Sequence, residues 1–139
     1  MSYIQGQDAS DALVPHSSAK LIQLLETGLP FQELQDLQAS LDISSDRLSP
    51  MVGISKATFH RSKGAASRLS PAVSDRVIRY ARLMGFAVKV FGDLEDAKAW
   101  LNAPQFGLGG AVPLEYAKTE IGAREVENLL GRIQYGVYS

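Results

Sequence analysis

The sequence predicts an all-α protein in which a helix-turn-helix domain is followed by a small helical domain. Apolar residues recur at helical spacing in most segments, and glycine or proline stands at the ends of those segments. One segment, FAVKVF at residues 86–91, alternates as a strand does, but the sequence shows no second strand to pair with it. We therefore expect a helix there. The predicted divisions are a loose polar arm at 1–16, a helix-turn-helix domain with a long connecting helix at 17–89, and a C-terminal domain with a tail at 90–139.

The first two helices are predicted from the spacing of leucines. A helix that begins at Ser17 is stopped by Gly28 and Pro30, since neither residue continues a helix well. The next helix covers residues 31–41, and its inner side is formed by Phe31, Leu34, Leu37, Gln38 and Leu41.

The third helix is short and contains a proline. Ser44 or Ser45 can cap it, and its apolar residues are Leu48, Met51 and Val52. Pro50 is acceptable only in the first turn of this helix, where a missing N–H costs little.

A single glycine separates the third helix from the fourth. Gly53 is expected to end the third helix in a left-handed conformation. Ser55 is placed to cap a fourth helix at about residues 56–63, which Gly64 ends. Two short helices joined by a tight glycine turn form a helix-turn-helix, whose second helix can enter the major groove of DNA. An ordinary corner of two helices with a solvated polar face would show the same turn.

Four more helical segments are predicted in the second half of the chain. Ser70 and Pro71 open a long helix in which Gly85 is a candidate break. Asp93 or Asp96 starts the next helix, which Pro104 ends.

The last segments follow the turn FGLGG. Residues 113–116 are a short helical piece, and Thr119 caps the final helix. The apolar residues of that helix recur at i, i+3, i+4 and i+7, at Val126, Leu129, Leu130 and Ile133. We expect these side chains and Trp100 to form the core of the C-terminal domain, and Gly136 to release the tail.

Charge is strongly segregated along the chain, although the net charge is only −1. Residues 1–46 carry one base and seven acids, residues 47–89 nine bases and one acid, and residues 90–139 four bases and seven acids. The resulting net charges are −6, +8 and −3. A polyanion would be attracted to the middle third, which contains the helix-turn-helix. The nine bases of this basic block are Arg47, Lys56, Arg61, Lys63, Arg68, Arg76, Arg79, Arg82 and Lys89.

These observations predict a DNA-binding surface on the fourth helix. Phe59 would anchor the helix, and Ile54 would fill the turn before it. Side chains near the start of such a helix reach base edges, while flanking cations bind phosphates. The predicted DNA-binding residues are Ser55, Lys56, Ala57, Thr58, His60, Arg61, Lys63 and Arg68. We expect a homodimer on an inverted repeat, since one short helix reads few bases.

Several function classes are disfavoured. The 139 residues include no cysteine, which excludes disulfides, thiolate nucleophiles and zinc–thiolate sites. The two histidines, His16 and His60, are not part of any nucleophile–base set or ligand cluster, so neither an enzyme nor a metal or cofactor site is expected. No secretory signal and no apolar run of roughly 18 to 20 residues is present, and the cytoplasm is the expected location.

From Val90 onward the chain resembles the toxin-binding domain of the Xre/MbcA/ParS-type antitoxins. The helix of this resemblance contains Ala97, Trp100 and Leu101, and it is followed by Pro104, Gly109, Gly110, Pro113 and Leu114. The later matching positions are Thr119, Gly122, Val126, Leu130, Arg132, Ile133, Tyr135 and Gly136. An Xre-like helix-turn-helix lies upstream in the same order, so the resemblance covers roughly residues 30 to 139. Ser49, where alanine is common, and the following Pro50 depart from the family's usual helix-turn-helix pattern.

The resemblance implies an antitoxin of a type II toxin–antitoxin pair. Its partner would be a RES-type toxin that consumes NAD, with the C-terminal domain covering the toxin's cleft. The helix-turn-helix would repress the shared operon by binding operator DNA. The residues expected to bind the toxin are Arg132, Tyr135, Gly136, Val137, Tyr138 and Ser139. The alternative is a free-standing transcription regulator whose C-terminal domain dimerises or senses a ligand.

Overall fold

A computed structural model describes residues 18–62 and 67–136 of the chain, and within these ranges it confirms an all-α protein. The first four helices are α1 (Ser18–Thr27), α2 (Phe31–Leu41), α3 (Ser45–Val52) and α4 (Lys56–Ser62). The remaining helices are α5 (Pro71–Phe91), α6 (Leu94–Leu101), a short 3-10 helix (Phe106–Leu108), α7 (Pro113–Tyr116) and α8 (Glu120–Gln134). The described residues contain no β-strand, and one isolated bridge joins Pro30 to Arg68.

The long helix α5 is the centre of the fold. Its N-terminus is capped as predicted, because the Ser70 hydroxyl accepts a hydrogen bond from the Val73 N–H at 3.2 Å and Pro71 occupies the first turn. Gly85 does not break the helix; it is buried in the middle of an unbroken run that continues through the FAVKVF segment. The helix α5 packs against α1, α2 and α3 of the N-terminal half of the chain and against α6 and α8 of the C-terminal half, so it belongs to both halves.

One hydrophobic core runs through both halves of the protein. It includes Leu34, Leu48 and Phe59 from the helix-turn-helix half, and Leu101 and Leu130 from the C-terminal half. The predicted division between residues 89 and 90 falls inside α5, close to its C-terminal end. That division stays a prediction.

The prediction that Trp100 is a core residue is only partly correct. Trp100 is half-buried at the edge of the core, and its ring lies 5.6 Å from that of Phe91, centroid to centroid. The neighbouring Leu101 is fully buried. Helical spacing brings both residues toward the core, but only Leu101 is fully enclosed by it.

The expected place of Pro50 in the first turn of α3 is wrong. The helix begins at Ser45, so Pro50 is its sixth residue and lies on the exposed side. The proline removes one hydrogen bond to the Asp46 carbonyl, where water can take its place. The helix ends two residues later, which limits the distortion.

Candidate nucleic-acid interface and C-terminal surface

The turn between α3 and α4 has the geometry that the sequence predicts. Ser44 caps α3, and Gly53 ends it with φ of +76° while its N–H donates to the Ser49 carbonyl at 2.8 Å. The Ser55 hydroxyl accepts a hydrogen bond from the Thr58 N–H at 3.0 Å and so caps α4. Each of these contacts spans three or four residues, so local sequence decides where both helices end and begin.

Phe59 anchors α4 and determines which side of the helix faces outward. Its side chain is buried, and its ring meets that of Phe31 edge-on with centroids 5.4 Å apart. Five of the predicted DNA-binding residues are exposed, as contact with a partner requires: Ser55, Lys56, Ala57, His60 and Arg61. Thr58 is half-buried, and Lys63 lies outside the described residues. Contact of this face with DNA stays a prediction.

Two of the exposed side chains on α4 already have partners. The Lys56 ammonium lies 2.8 Å from a carboxylate oxygen of Asp46. The hydrogen bond and charge of Lys56 hold the pKa of Asp46 below its usual range, so this carboxylate is ionised at neutral pH. The Arg61 guanidinium donates to the Thr58 hydroxyl at 3.2 Å. Both cations remain at the surface, where a phosphate can compete with these weak contacts.

Arg68 lies beside the start of α4, although it is distant in sequence from the turn. Its guanidinium donates to the Gly28 carbonyl at 2.9 Å, which connects the segment before α5 to the end of α1. The same residue lines a shallow depression with Gly53, Ser55, Thr58, Ser62 and Ser70. The fold therefore brings predicted DNA-binding residues from two segments into one depression, which apolar side chains also line.

Two cations of the basic block form ion pairs with residues of the acidic C-terminal third. The Arg47 side chain lies 3.5 Å from a carboxylate oxygen of Glu115 and donates to the Asn102 side-chain oxygen at 2.7 Å. Arg79 lies 3.3 Å from a carboxylate oxygen of Glu120. These contacts connect the middle third to the acidic C-terminal third, so not every cation of the basic block is without a partner.

The C-terminal surface is the outer side of α8 and the residues after it. Arg132 is exposed, and the Tyr135 side chain is 78% exposed. Gly136 has φ of +72°, a conformation that turns the chain away from the helix axis. Val137, Tyr138 and Ser139 lie outside the described residues.

Two exposed apolar residues of this half were not among the predicted site residues. Phe106 is 86% exposed in the 3-10 helix, and Ile121 is 77% exposed in the first turn of α8. Ile121 lies outside the buried stripe that includes Val126 and Leu130. This departure from the helical repeat is the sequence signal that could have predicted its exposure.

Neither a metal site nor a membrane-spanning helix is found in the part of the chain that the structure describes. Across residues 18–62 and 67–136, no three His, Asp or Glu side chains are grouped as ligands of a metal ion would be. No helix in these ranges has the length and apolar character needed to cross a membrane.

Two domain families match the chain and together cover most of it. Residues 20–82 match the antitoxin Xre-like helix-turn-helix domain. Residues 86–136 match the antitoxin Xre/MbcA/ParS C-terminal toxin-binding domain. The first match contains most of α1, all of α2 to α4 and the first part of α5, and the second contains the end of α5 through α8.

Curated proteins similar to the chain are named as antitoxins. An antitoxin Xre of Photorhabdus laumondii is 32% identical over 90% of this chain and 82% of its own length. An antitoxin Xre of Yersinia enterocolitica is 31% identical over 86% of this chain and 81% of its own length. A protein of a Sphingobium strain named Prs ADP-ribosylating antitoxin is 26% identical over 94% of this chain and 88% of its own length.

Proposed function

Because the chain belongs to the Xre/MbcA/ParS antitoxin family, we propose that it neutralises a RES-type, NAD-consuming toxin and represses its own operon. The C-terminal surface covers the toxin's active-site cleft, and the exposed face of α4 binds the operator. The antitoxin acts by binding the toxin's cleft and the operator DNA, and it carries out no reaction itself.

The observation that carries this proposal is the separation of two exposed surfaces along α5. The depression at α4 includes Ser70, which caps the N-terminus of α5, and Val73 in the first turn of that helix. On the other side, Arg79 contacts Glu120 at the start of α8, and Arg82 lines a cleft with Glu127 further along α8. The helix α8 therefore runs away from the end of α5 that carries α4, and Tyr135 lies about 20 Å beyond Glu120 at the rise of an α-helix.

This separation lets one chain bind two unlike partners. DNA requires a cationic face, whereas the C-terminal third has a net charge of −3 and exposed aromatic residues. Exposed tyrosine offers a large contact area at a low cost in side-chain entropy, which is typical of the energetically important residues of protein interfaces. A repressor dimer placed on an inverted repeat would leave two C-terminal surfaces for toxin molecules.

The test of toxin neutralisation is a truncation that ends at Gln134. The last fully buried side chain of α8 is Leu130, so the truncated chain keeps its core and should fold. NAD consumption by the toxin from the adjacent gene is titrated with the full-length and truncated proteins, and binding is measured in parallel. We expect inhibition to fall more than affinity, since contacts from Tyr135 onward are removed while those of the helices remain.

Two outcomes would count against the proposal in different ways. Equal inhibition by both proteins at matched occupancy would show that the helices alone block the cleft. No inhibition by the full-length protein would overturn toxin neutralisation itself.

A further inference from the structure

A glycine near the C-terminal end of α8 has no structural reason within the described part of the chain. Gly131 lies inside the helix with helical dihedral angles, and a Cβ added there would meet no other atom within 4 Å. Glycine weakens a helix relative to alanine, because it loses more backbone freedom on folding. By contrast, Gly122 in the same helix is required by packing, since a Cβ there would lie 1.7 Å from the Tyr116 carbonyl oxygen.

Gly131 forms the floor of an open groove on the outer side of α8. The other residues that line the groove are Glu127, Asn128, Arg132 and Tyr135, which recur over two turns on one side of the helix. Asn128, Arg132 and Tyr135 are exposed. Within residues 18–62 and 67–136, the side chains of these three residues form no ion pair or hydrogen bond.

We infer that this groove receives an extended segment of the cognate toxin, whose backbone comes close to α8 where Gly131 lacks a side chain. The inference rests on the proposed function, and it adds a contact on α8, at Gly131, to those made from Tyr135 onward. Because glycine has no Cβ, a partner's backbone can approach the helix more closely at Gly131 than it could if any other residue stood there. Arg132 is placed to bind a carboxylate of that segment, and the exposed ring of Tyr135 to cover its apolar side.

The location of the groove identifies the toxin as its occupant. All five residues lie within residues 86–136, the part that matches a toxin-binding domain. The match includes α8, so toxin contacts are expected on this helix and not only on the residues after it. The helix-turn-helix match ends at residue 82, before any residue of the groove.

The inference is tested with Gly131→Ala and Gly131→Gln in the full-length protein. Both substitutions should raise the thermal midpoint of the free antitoxin, because both residues favour a helix over glycine. Both should weaken binding to the purified toxin, and glutamine should weaken it at least tenfold because its side chain fills the groove. Ala99→Gln is the matched control: it places the same side chain on an exposed helical position of α6, outside the groove. We expect the control to bind the toxin within about twofold of the parent.

Three results would overturn the inference. The first is that the Gly131→Gln variant binds the toxin as tightly as the parent does. Another is loss of an antitoxin dimer in light scattering with toxin affinity retained, which would assign the groove to a second copy of this chain. If the parent itself fails to bind the toxin, the proposed toxin neutralisation and this inference are both overturned.

Discussion

The phenolic hydroxyl of Tyr80 donates a hydrogen bond to the carbonyl oxygen of Leu114 across 3.1 Å. Both residues are buried, Tyr80 in α5 and Leu114 in α7. Burial raises the pKa of the Tyr80 phenol above its ordinary value of 10, so the hydroxyl stays protonated and remains a donor even in alkaline solution. This bond joins α5, which packs against the helix-turn-helix half, to the helices of the C-terminal half.

Tyr80→Phe should lower the free energy of unfolding by about 1–3 kcal/mol. The substitution keeps the ring in the core but leaves the buried Leu114 carbonyl without its partner. Urea unfolding of the full-length protein measures the effect. Tyr116→Phe is the control, because Tyr116 is 40% exposed and its hydroxyl can bond to water. A Tyr80 variant as stable as the Tyr116 variant would show that the bond contributes nothing.

Trp100→Ala should destabilise the protein less than Leu101→Ala. Leu101 is fully buried, and its truncation should cost about 2–5 kcal/mol, whereas the indole of Trp100 is already partly in water. We expect about 2 kcal/mol for Trp100→Ala, mainly from the lost contact with Phe91. Thermal melts of the two variants measure the loss of stability. A larger loss for Trp100→Ala than for Leu101→Ala would show that Trp100 is a core residue. Unchanged melting with lost toxin binding would instead make Trp100 an interface residue.

Lys56→Ala and Arg61→Ala should each weaken binding to the protein's own promoter. The expected cost is about 1–3 kcal/mol where the side chain reads a base, and a lower salt dependence where it binds a phosphate. Gel-shift titrations at several salt concentrations measure both effects. Lys89→Ala serves as control, since Lys89 is an exposed cation near the far end of α5.

Asp46→Asn should have the opposite effect and strengthen binding to the promoter. Lys56 is bound to Asp46 at 2.8 Å, so removing the carboxylate charge should free the ammonium for a phosphate and strengthen binding. A double variant of Lys56 and Arg61 that binds as tightly as the parent would exclude this face of α4 from the DNA site.

Glu33→Gln should raise stability above neutral pH and have little effect in acid. Burial, with a smaller contribution from the charge of Asp36, raises the Glu33 pKa from 4.5 to about 7. The folded protein therefore holds this proton more tightly than the unfolded chain, and the carboxylate destabilises the fold progressively as pH rises between these two values. Because the group is only half-buried, we expect about 1 kcal/mol at about pH 8, vanishing near about pH 4. Chemical unfolding of both proteins at both pH values measures this effect. The same difference in the free energy of unfolding at the two pH values would contradict the prediction.

The sequence by itself determined the helices and the turn between α3 and α4. The caps at Ser70, Asp93 and Thr119 bond to N–H groups three residues later, and the left-handed Gly53 closes its own turn. Helical periodicity likewise repeats within three or four residues. Such signals are local, so they can be read along the chain without knowledge of the fold.

Only the tertiary structure decided which charged and aromatic side chains remain at the surface. Arg47 meets Asn102 and Arg79 meets the Lys118 carbonyl across 55 and 39 residues, so part of the basic block serves the internal packing of the protein. The half-exposed position of Trp100 and the open groove at Gly131 also depend on which neighbours come close. Pairing and exposure are set by contacts between distant segments, and residue type and spacing along one helix do not specify those contacts.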